Sequence, residues 1–291
     1  MTLAPGKALR FVWGEEVAEL AKTDPRIVVL DGDLGSSTGA YIFEEAHPDR
    51  FFQMGIAEQN LLGVAAGMAT VGFVPFVSTF ACFAVARALD SIRVLIAQPS
   101  LNVKITGGYA GLLASMTGKT HLMWDDVAIM RSMAHMTVVA PADEVEARQA
   151  IRAIVDYHGP VYLRLTRSDS PILFGSDYEF VLGKSTVIRE GGDLTVFSTE
   201  IPYLSRSAAS GPDSPKVSAS PSRFTGTGYW SDSVSATAPP RPPMIVCSSE
   251  VTTNPVRRAA ATMPSSSSGL IVGTCTRWTS IPSAASSSAA S

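Results

Sequence analysis

Apolar positions fall at Leu9, Val12, Val17, Leu20 and Ala21, a spacing that predicts an amphipathic helix from Ala8 to Lys22, closed by the turn signal Thr23-Asp24-Pro25. The next stretch, Arg26 to Leu30, is short and rich in β-branched residues and predicts a strand. Similar runs recur at Phe51 to Met54, Val74 to Ser78, Leu101 to Thr106, Thr137 to Ala140 and Val161 to Leu165, with helical patterns between them. Strand and helix alternate at the spacing of right-handed crossover units. The expected fold is therefore α/β, a parallel sheet of about six strands with helices on both faces. After Glu58 the residues Leu61, Leu62, Val64, Ala65, Ala66, Met68 and Ala69 are apolar nearly all round, which predicts a buried helix. Pro141-Ala142-Asp143-Glu144 reads as the start of a further helix, Val145 to Tyr157.

The periodicity stops after Glu200. From Ile201 to Ser291 about three residues in five are Ser, Ala, Pro or Thr, with runs such as Ser265 to Ser268 and no sustained helical or strand period, a composition that argues for disorder. Over its 291 residues the chain is 46% hydrophobic with a formal net charge of −3, so nothing basic points to nucleic acid. No apolar run approaches the roughly 20 residues that span a bilayer, and the N-terminus has no charged-then-apolar leader pattern. The three cysteines, Cys82, Cys247 and Cys275, are too scattered for a metal or redox motif. These features describe a cytoplasmic enzyme.

On the residues alone, Glu58 is either a first-turn acid favoured by the helix dipole or a buried acid held neutral so that it can donate a hydrogen bond. Its surroundings sharpen the choice. Gly55-Ile56-Ala57-Glu58-Gln59, then a small-residue helix, then Gly72-Phe73-Val74-Pro75-Phe76 and Thr79-Phe80-Ala81-Cys82-Phe83, resemble the pyrimidine-binding domain of transketolases and related thiamine diphosphate enzymes. The resemblance implies that Glu58 hydrogen-bonds the aminopyrimidine ring of the cofactor as the catalytic glutamate, and that Phe80 and Phe83 pack on that ring. The loop Asp31-Gly32-Asp33-Leu34-Gly35-Ser36-Ser37 follows the first predicted strand. There the family's Asp-Leu-x-x-Ser is matched by Asp33, implied to lie near the cofactor at a subunit interface, and Ser37, implied to bind the sugar-phosphate donor.

Between Gly107 and Arg131 the family's His-Ala-Gly…Gly-x-x-His…Glu-Asp-x-Ala-x-x-Arg block is matched incompletely. His121, Asp126 and Arg131 are retained, Tyr109 replaces the first histidine, and Met116-Thr117 stands where an acidic pair is usual. Tyr109 and His121 are carried forward as substrate-binding candidates, His121 also for proton transfer. Arg167, in Thr166-Arg167-Ser168 after a strand, matches the arginine that binds substrate phosphate, a contact that suits a guanidinium. Arg164, pointing the other way, reads as a surface or interface charge.

The family's diphosphate-binding domain carries a Gly-Asp-Gly motif and a later Asn that hold the metal ion, and this chain has no such pair. The resemblance therefore implies the C-terminal subunit of a split transketolase. Such a subunit binds the pyrimidine end of thiamine diphosphate and leaves the diphosphate and its Mg2+ or Ca2+ to an N-terminal partner subunit, with two copies of each chain. The implied reaction is transfer of a two-carbon ketol unit between sugar phosphates. The alternatives are a 2-oxo acid decarboxylating or 1-deoxyxylulose-5-phosphate-synthase-like subunit, and an inactive truncated product. The resemblance divides the chain into a pyrimidine-binding domain (1–182), a linker and first strand of a C-terminal domain (183–200) and a tail (201–291). Shifting the frame by one base across Thr274 to Pro282 can yield Asp-Met-His-Thr-Val-Asp-Lys-His-Pro, similar to a segment of the family's C-terminal domain, so the tail reads as out-of-frame translation from near Thr199.

Overall fold

The computed structural model describes residues 3–192, 195–199, 268–273 and 275–276. Among the described residues there are ten strands: β1 (Ile27–Asp31), β2 (Phe51–Gln53), β3 (Val74–Phe80), β4 (Lys104–Gly108), β5 (Thr137–Val139), β6 (Val161–Arg164), β7 (Ser185–Gly192), β8 (Thr195–Ser198), β9 (Ser268–Gly273) and β10 (Cys275–Thr276). The main sheet has the order β10-β5-β6-β4-β3-β1-β2. Its six strands β1 to β6 all pair in parallel, and β10 adds an antiparallel edge to β5. All six parallel strands expected from the sequence are there.

Parallel strands are buried on both faces, so their sequences carry apolar residues at successive positions rather than at alternate ones. In β1, Ile27 and Val29 face one core while Val28 and Leu30 face the other. The first core is closed by α1 (Leu9–Leu20) and by the long C-terminal helix of the domain; the second lies beneath the helix that begins at Glu58. In chain order the other helices are α2 (Gly35–Thr38), α3 (Tyr41–Ala46), α4 (Glu58–Thr70), α5 (Leu89–Ser91), α6 (Asp126–Arg131) and α7 (Glu144–Asp156). The α7 start matches its sequence signal. Asp143 caps it by accepting from the Glu146 backbone N–H at 2.9 Å. The other carboxylate oxygen of Asp143 accepts from the N–H groups of Leu173 and Phe174 at 2.7 and 2.8 Å, tying the segment after β6 to the helix.

One expectation needs correction. Arg164 is not a surface charge: it is 5% exposed and its Nε donates to Asp126 Oδ2 at 2.8 Å. Its alternate-side position in β6 puts it in the second core with Tyr162, whose hydroxyl donates to the same carboxylate oxygen at 2.8 Å. Of the segment after Ile201 only β9 and β10 are described, and the apolar run Leu270-Ile271-Val272 lies within β9. β9 forms the middle of a second sheet, β7-β9-β8. The frame-shift reading of 201–291 otherwise falls outside the described residues. No helix among the described residues is long and apolar enough to cross a membrane.

Candidate active site

Every site residue expected from the sequence lies at or beyond the C-terminal end of a parallel strand, where open α/β sheets bind ligands. β3 runs straight into a turn wound as a π-helix, Phe83–Arg87, and a second π segment follows at Ile92–Ala97. The wider turn of a π segment re-aims side chains and recurs at functional sites. Here it brings the partly exposed Phe83 ring to 5.4 Å from that of Phe80, which is buried. Phe80 also stacks on Tyr109, with ring centroids 4.0 Å apart. His121 meets Phe80 and Phe83 edge-on at 6.0 and 5.2 Å, and its Nδ1 is 2.8 Å from the Thr120 hydroxyl. Four of the expected residues thus form one aromatic cluster.

Tyr109 sits at φ 56°, a left-handed conformation that a bulky side chain adopts only under constraint. The glycine two residues before it is needed: a Cβ on Gly107 would collide with the hydroxyl end of Tyr162. On its outer side Tyr109 meets two guanidinium groups. Arg10, in the first turn of α1, donates from Nη1 to the Ser37 carbonyl oxygen at 2.8 Å and to the Tyr109 hydroxyl at 3.2 Å. The Arg167 guanidinium carbon lies 5.4 Å from the Tyr109 ring centroid. The Nε of each arginine is buried without a hydrogen-bond partner. A buried donor left unpaired costs about 1–3 kcal/mol.

Glu58 is the first residue of α4 and is buried. The lone acid expected from the sequence has a partner after all: Arg87 Nη1 donates to Glu58 Oε1 at 2.7 Å. Arg87 also lies over Phe83, with its guanidinium carbon 4.0 Å from the ring centroid, so the carboxylate is joined to the aromatic cluster through this side chain.

The phosphate-loop candidates fare differently. Ser37 lies in α2 and is engaged through its carbonyl. Asp33 is exposed at φ 66°, and no contact ties it to the cluster among the described residues. The acid that organises this loop is Asp31. Its Oδ2 accepts from the Leu34 and Gly35 N–H groups at 2.8 and 3.0 Å and from Gln53 Nε2 at 3.3 Å, while Oδ1 has no partner. Burial, the largest influence, pushes the Asp31 carboxyl above the usual range despite these donors.

Arg10, Asp31 and Arg87 were therefore missed as site residues. Arg10 carried a usable signal, a charge next to the apolar Leu9 in the helix's first turn. Arg87 carried none, because its approach to Glu58 depends on the π turn. Among the described residues no three His, Cys, Asp or Glu side chains are grouped to hold a metal ion.

Comparison with known proteins matches residues 6–171 to the transketolase pyrimidine binding domain. Over 204 residues the chain is 43% identical to a putative transketolase C-terminal section from Methanocaldococcus jannaschii, covering 69% of this chain and 65% of that protein. It is 40% identical to a 6-deoxy-6-sulfo-D-fructose transketolase subunit from Clostridium sp. (strain MSTE9), covering 66% and 60%. Among solved structures, a split gene transketolase described as an inactive β4 tetramer superposes with a TM-score of 0.59 at 46% identity, covering 66% of this chain and 62% of that one. The chain thus spans under two thirds of the length of these relatives.

Proposed function

Belonging to the transketolase family through its pyrimidine-binding domain, the chain is, we propose, the C-terminal subunit of a split transketolase, holding the pyrimidine end of thiamine diphosphate. The observation that carries this reading is the convergence on one site of a buried carboxylate, four stacked or edge-packed aromatic rings and two arginines with unpaired donors. The residues fit the cofactor ring: a flat aminopyrimidine needs an apolar platform and an acid at its edge. Phe80 and Phe83 supply the platform and Glu58 the acid. Asp33, exposed on its loop, is free to meet the cofactor from a subunit interface.

When bound, thiamine diphosphate supplies the carbon nucleophile that lets a bond beside a ketone break and form. This chain's own residues do the rest. Glu58 holds and moves a proton at its carboxylate, and the aromatic rings exclude water and fix the ring plane. His121, at the edge of both phenylalanines, stands where it can exchange a proton with a sugar hydroxyl. Tyr109 and Ser37 line the approach to the two arginines, which take the phosphate of a sugar phosphate. The diphosphate and its Mg2+ or Ca2+ belong to an N-terminal partner subunit, two of each chain making the assembly.

The test is reconstitution. The full chain, coexpressed with an N-terminal subunit carrying the diphosphate motif, is assayed with ketose phosphate donors, 2-oxo acids and unphosphorylated ketoses. Two-carbon transfer from a ketose phosphate is expected. Turnover restricted to 2-oxo acids would overturn the sugar reading in favour of a decarboxylating enzyme. Inactivity of the complete assembly would mark a truncated product. Sequencing the coding DNA tests the out-of-frame origin of 201–291: a single-base correction near the Thr199 codon should open a frame that contains Asp-Met-His-Thr.

Arg167→Ala is expected to raise the KM of phosphorylated donors about ten- to more than a hundredfold, the value of one charged contact of about 1.5–3 kcal/mol. Unphosphorylated ketoses should be nearly indifferent. Equal damage to both substrate types would make Arg167 a structural residue.

A further inference from the structure

Arg87 makes the two contacts that the proposed pyrimidine site would offer its ring. Its guanidinium lies over Phe83 with Cζ 4.0 Å from the ring centroid, and Nη1 donates to Glu58 Oε1 at 2.7 Å. A guanidinium is planar, delocalised, weakly hydrated and edged with N–H donors. In its flat, delocalised shape it resembles an aminopyrimidine that stacks on an aromatic face and hydrogen-bonds a carboxyl group at its edge. The two cannot use the same face of Phe83 and the same oxygen of Glu58 at once.

We infer that Arg87 is a further member of the cofactor site, a self-ligand that holds the pyrimidine's place on Phe83 and Glu58 and must swing away when the cofactor binds. The inference rests on the cofactor reading given above. Several features favour a side chain built to move. The Arg87 side chain is 51% exposed whereas that of Glu58 is 8% exposed, so one partner is fixed in the core and the other is a long arm at the surface. Arg87 is the last residue of the π turn, and its carbonyl accepts from Gln59 Nε2 at 3.2 Å, which anchors its backbone to α4 while leaving the side chain loose. Beside it lies a cleft of about 700 Å³ lined by Leu89, Arg93, Gln98, Ile129 and Met133, roomy enough to take the displaced guanidinium.

The contact does useful work in the unloaded chain. It neutralises a buried carboxylate and covers an apolar ring, both costly if left bare. An exposed ion pair and a cation–π contact are individually weak. A cofactor anchored at its diphosphate by the partner subunit therefore displaces Arg87, whereas a free pyrimidine competes poorly.

The experiment measures calorimetric binding of 4-amino-5-hydroxymethyl-2-methylpyrimidine to the full chain, and of thiamine diphosphate to the chain assembled with its N-terminal subunit. Wild type, Arg87→Ala, Arg87→Gln, Glu58→Ala and Phe83→Ala are compared. Removing the competitor should tighten pyrimidine binding about fivefold or more in both Arg87 variants, the factor carried by one exposed ion pair plus one cation–π contact. The gain should be of similar size for the diphosphate in the assembled enzyme, because a self-occupied site lowers the apparent affinity of every ligand by the same factor. Unchanged or weaker binding by both Arg87 variants, with Glu58→Ala and Phe83→Ala still weakened, would overturn the latch and leave the cofactor site standing. Binding indifferent to Glu58→Ala and Phe83→Ala, or absent throughout, would overturn the site and the latch with it.

Discussion

Glu58→Gln should bring turnover of the assembled enzyme down about a hundred- to ten-thousandfold, the range lost when a positioned proton-transfer group is removed. Glutamine has the same shape and can still donate to a ring nitrogen from its amide, so the substitution isolates proton transfer from fit. It also leaves α4 largely intact. Glu58 is the helix's first residue, and its partner Arg87 is half exposed and can turn to water, so no charge is stranded in the core. The melting temperature should stay close to wild type while solvent exchange of the proton on the cofactor's reactive carbon collapses. Exchange at the wild-type rate in the variant would remove Glu58 from the chemistry. A large fall in melting temperature would mean instead that the Arg87 pair is a structural contact.

How far this site could be read from the sequence depends on how local each signal is. Parallel strands buried on both faces announce themselves through runs such as Ile27-Val28-Val29-Leu30, so all six were legible, with β4 the most displaced because it continues through the glycines 107–108. Glu58, Phe80 and Phe83 stand in contiguous motifs and could be singled out together. Tyr109, Ser37 and Arg167 could be singled out only one by one, since nothing local shows whether they lie near one another; that depends on β1, β3, β4 and β6 being neighbours in the sheet. Arg10 reaches Tyr109 across 99 residues of sequence. Arg164 was misjudged for the same reason. Alternation along β6 told which face it takes but not that the face is covered, and its partner Asp126 lies on a short helix 38 residues earlier. Charges placed by long-range pairing are the part of a fold that periodicity does not encode.

Asp126→Ala is the substitution expected to damage the fold most. Asp126 and Arg164 are 0% and 5% exposed. The single oxygen Asp126 Oδ2 accepts from both Arg164 Nε and the Tyr162 hydroxyl, each at 2.8 Å. Burial, the chief cause, and the neighbouring Asp126 push the Tyr162 phenol well above its usual range, so it stays a neutral donor at any working pH. Removing the carboxylate takes away the buried counter-charge of Arg164 and unpairs a buried hydroxyl. Breaking one side of a buried ion pair costs about 3–5 kcal/mol, a large share of the 5–15 kcal/mol that holds a typical domain together. The midpoint of urea unfolding should fall accordingly. Because the cost comes from the buried charge and not from lost attraction, Asp126→Leu combined with Arg164→Met and Tyr162→Phe should recover most of it. Asp126 also starts α6, directly after the loop that carries His121. Asp126→Ala should therefore loosen the histidine against Phe80 and Phe83 before the domain unfolds, visible as a change in the His121 ring proton shifts. A variant as stable as wild type would show that Arg164 is held by its other contacts, among them Nη1 to the Thr199 hydroxyl at 3.4 Å, and that the carboxylate is dispensable.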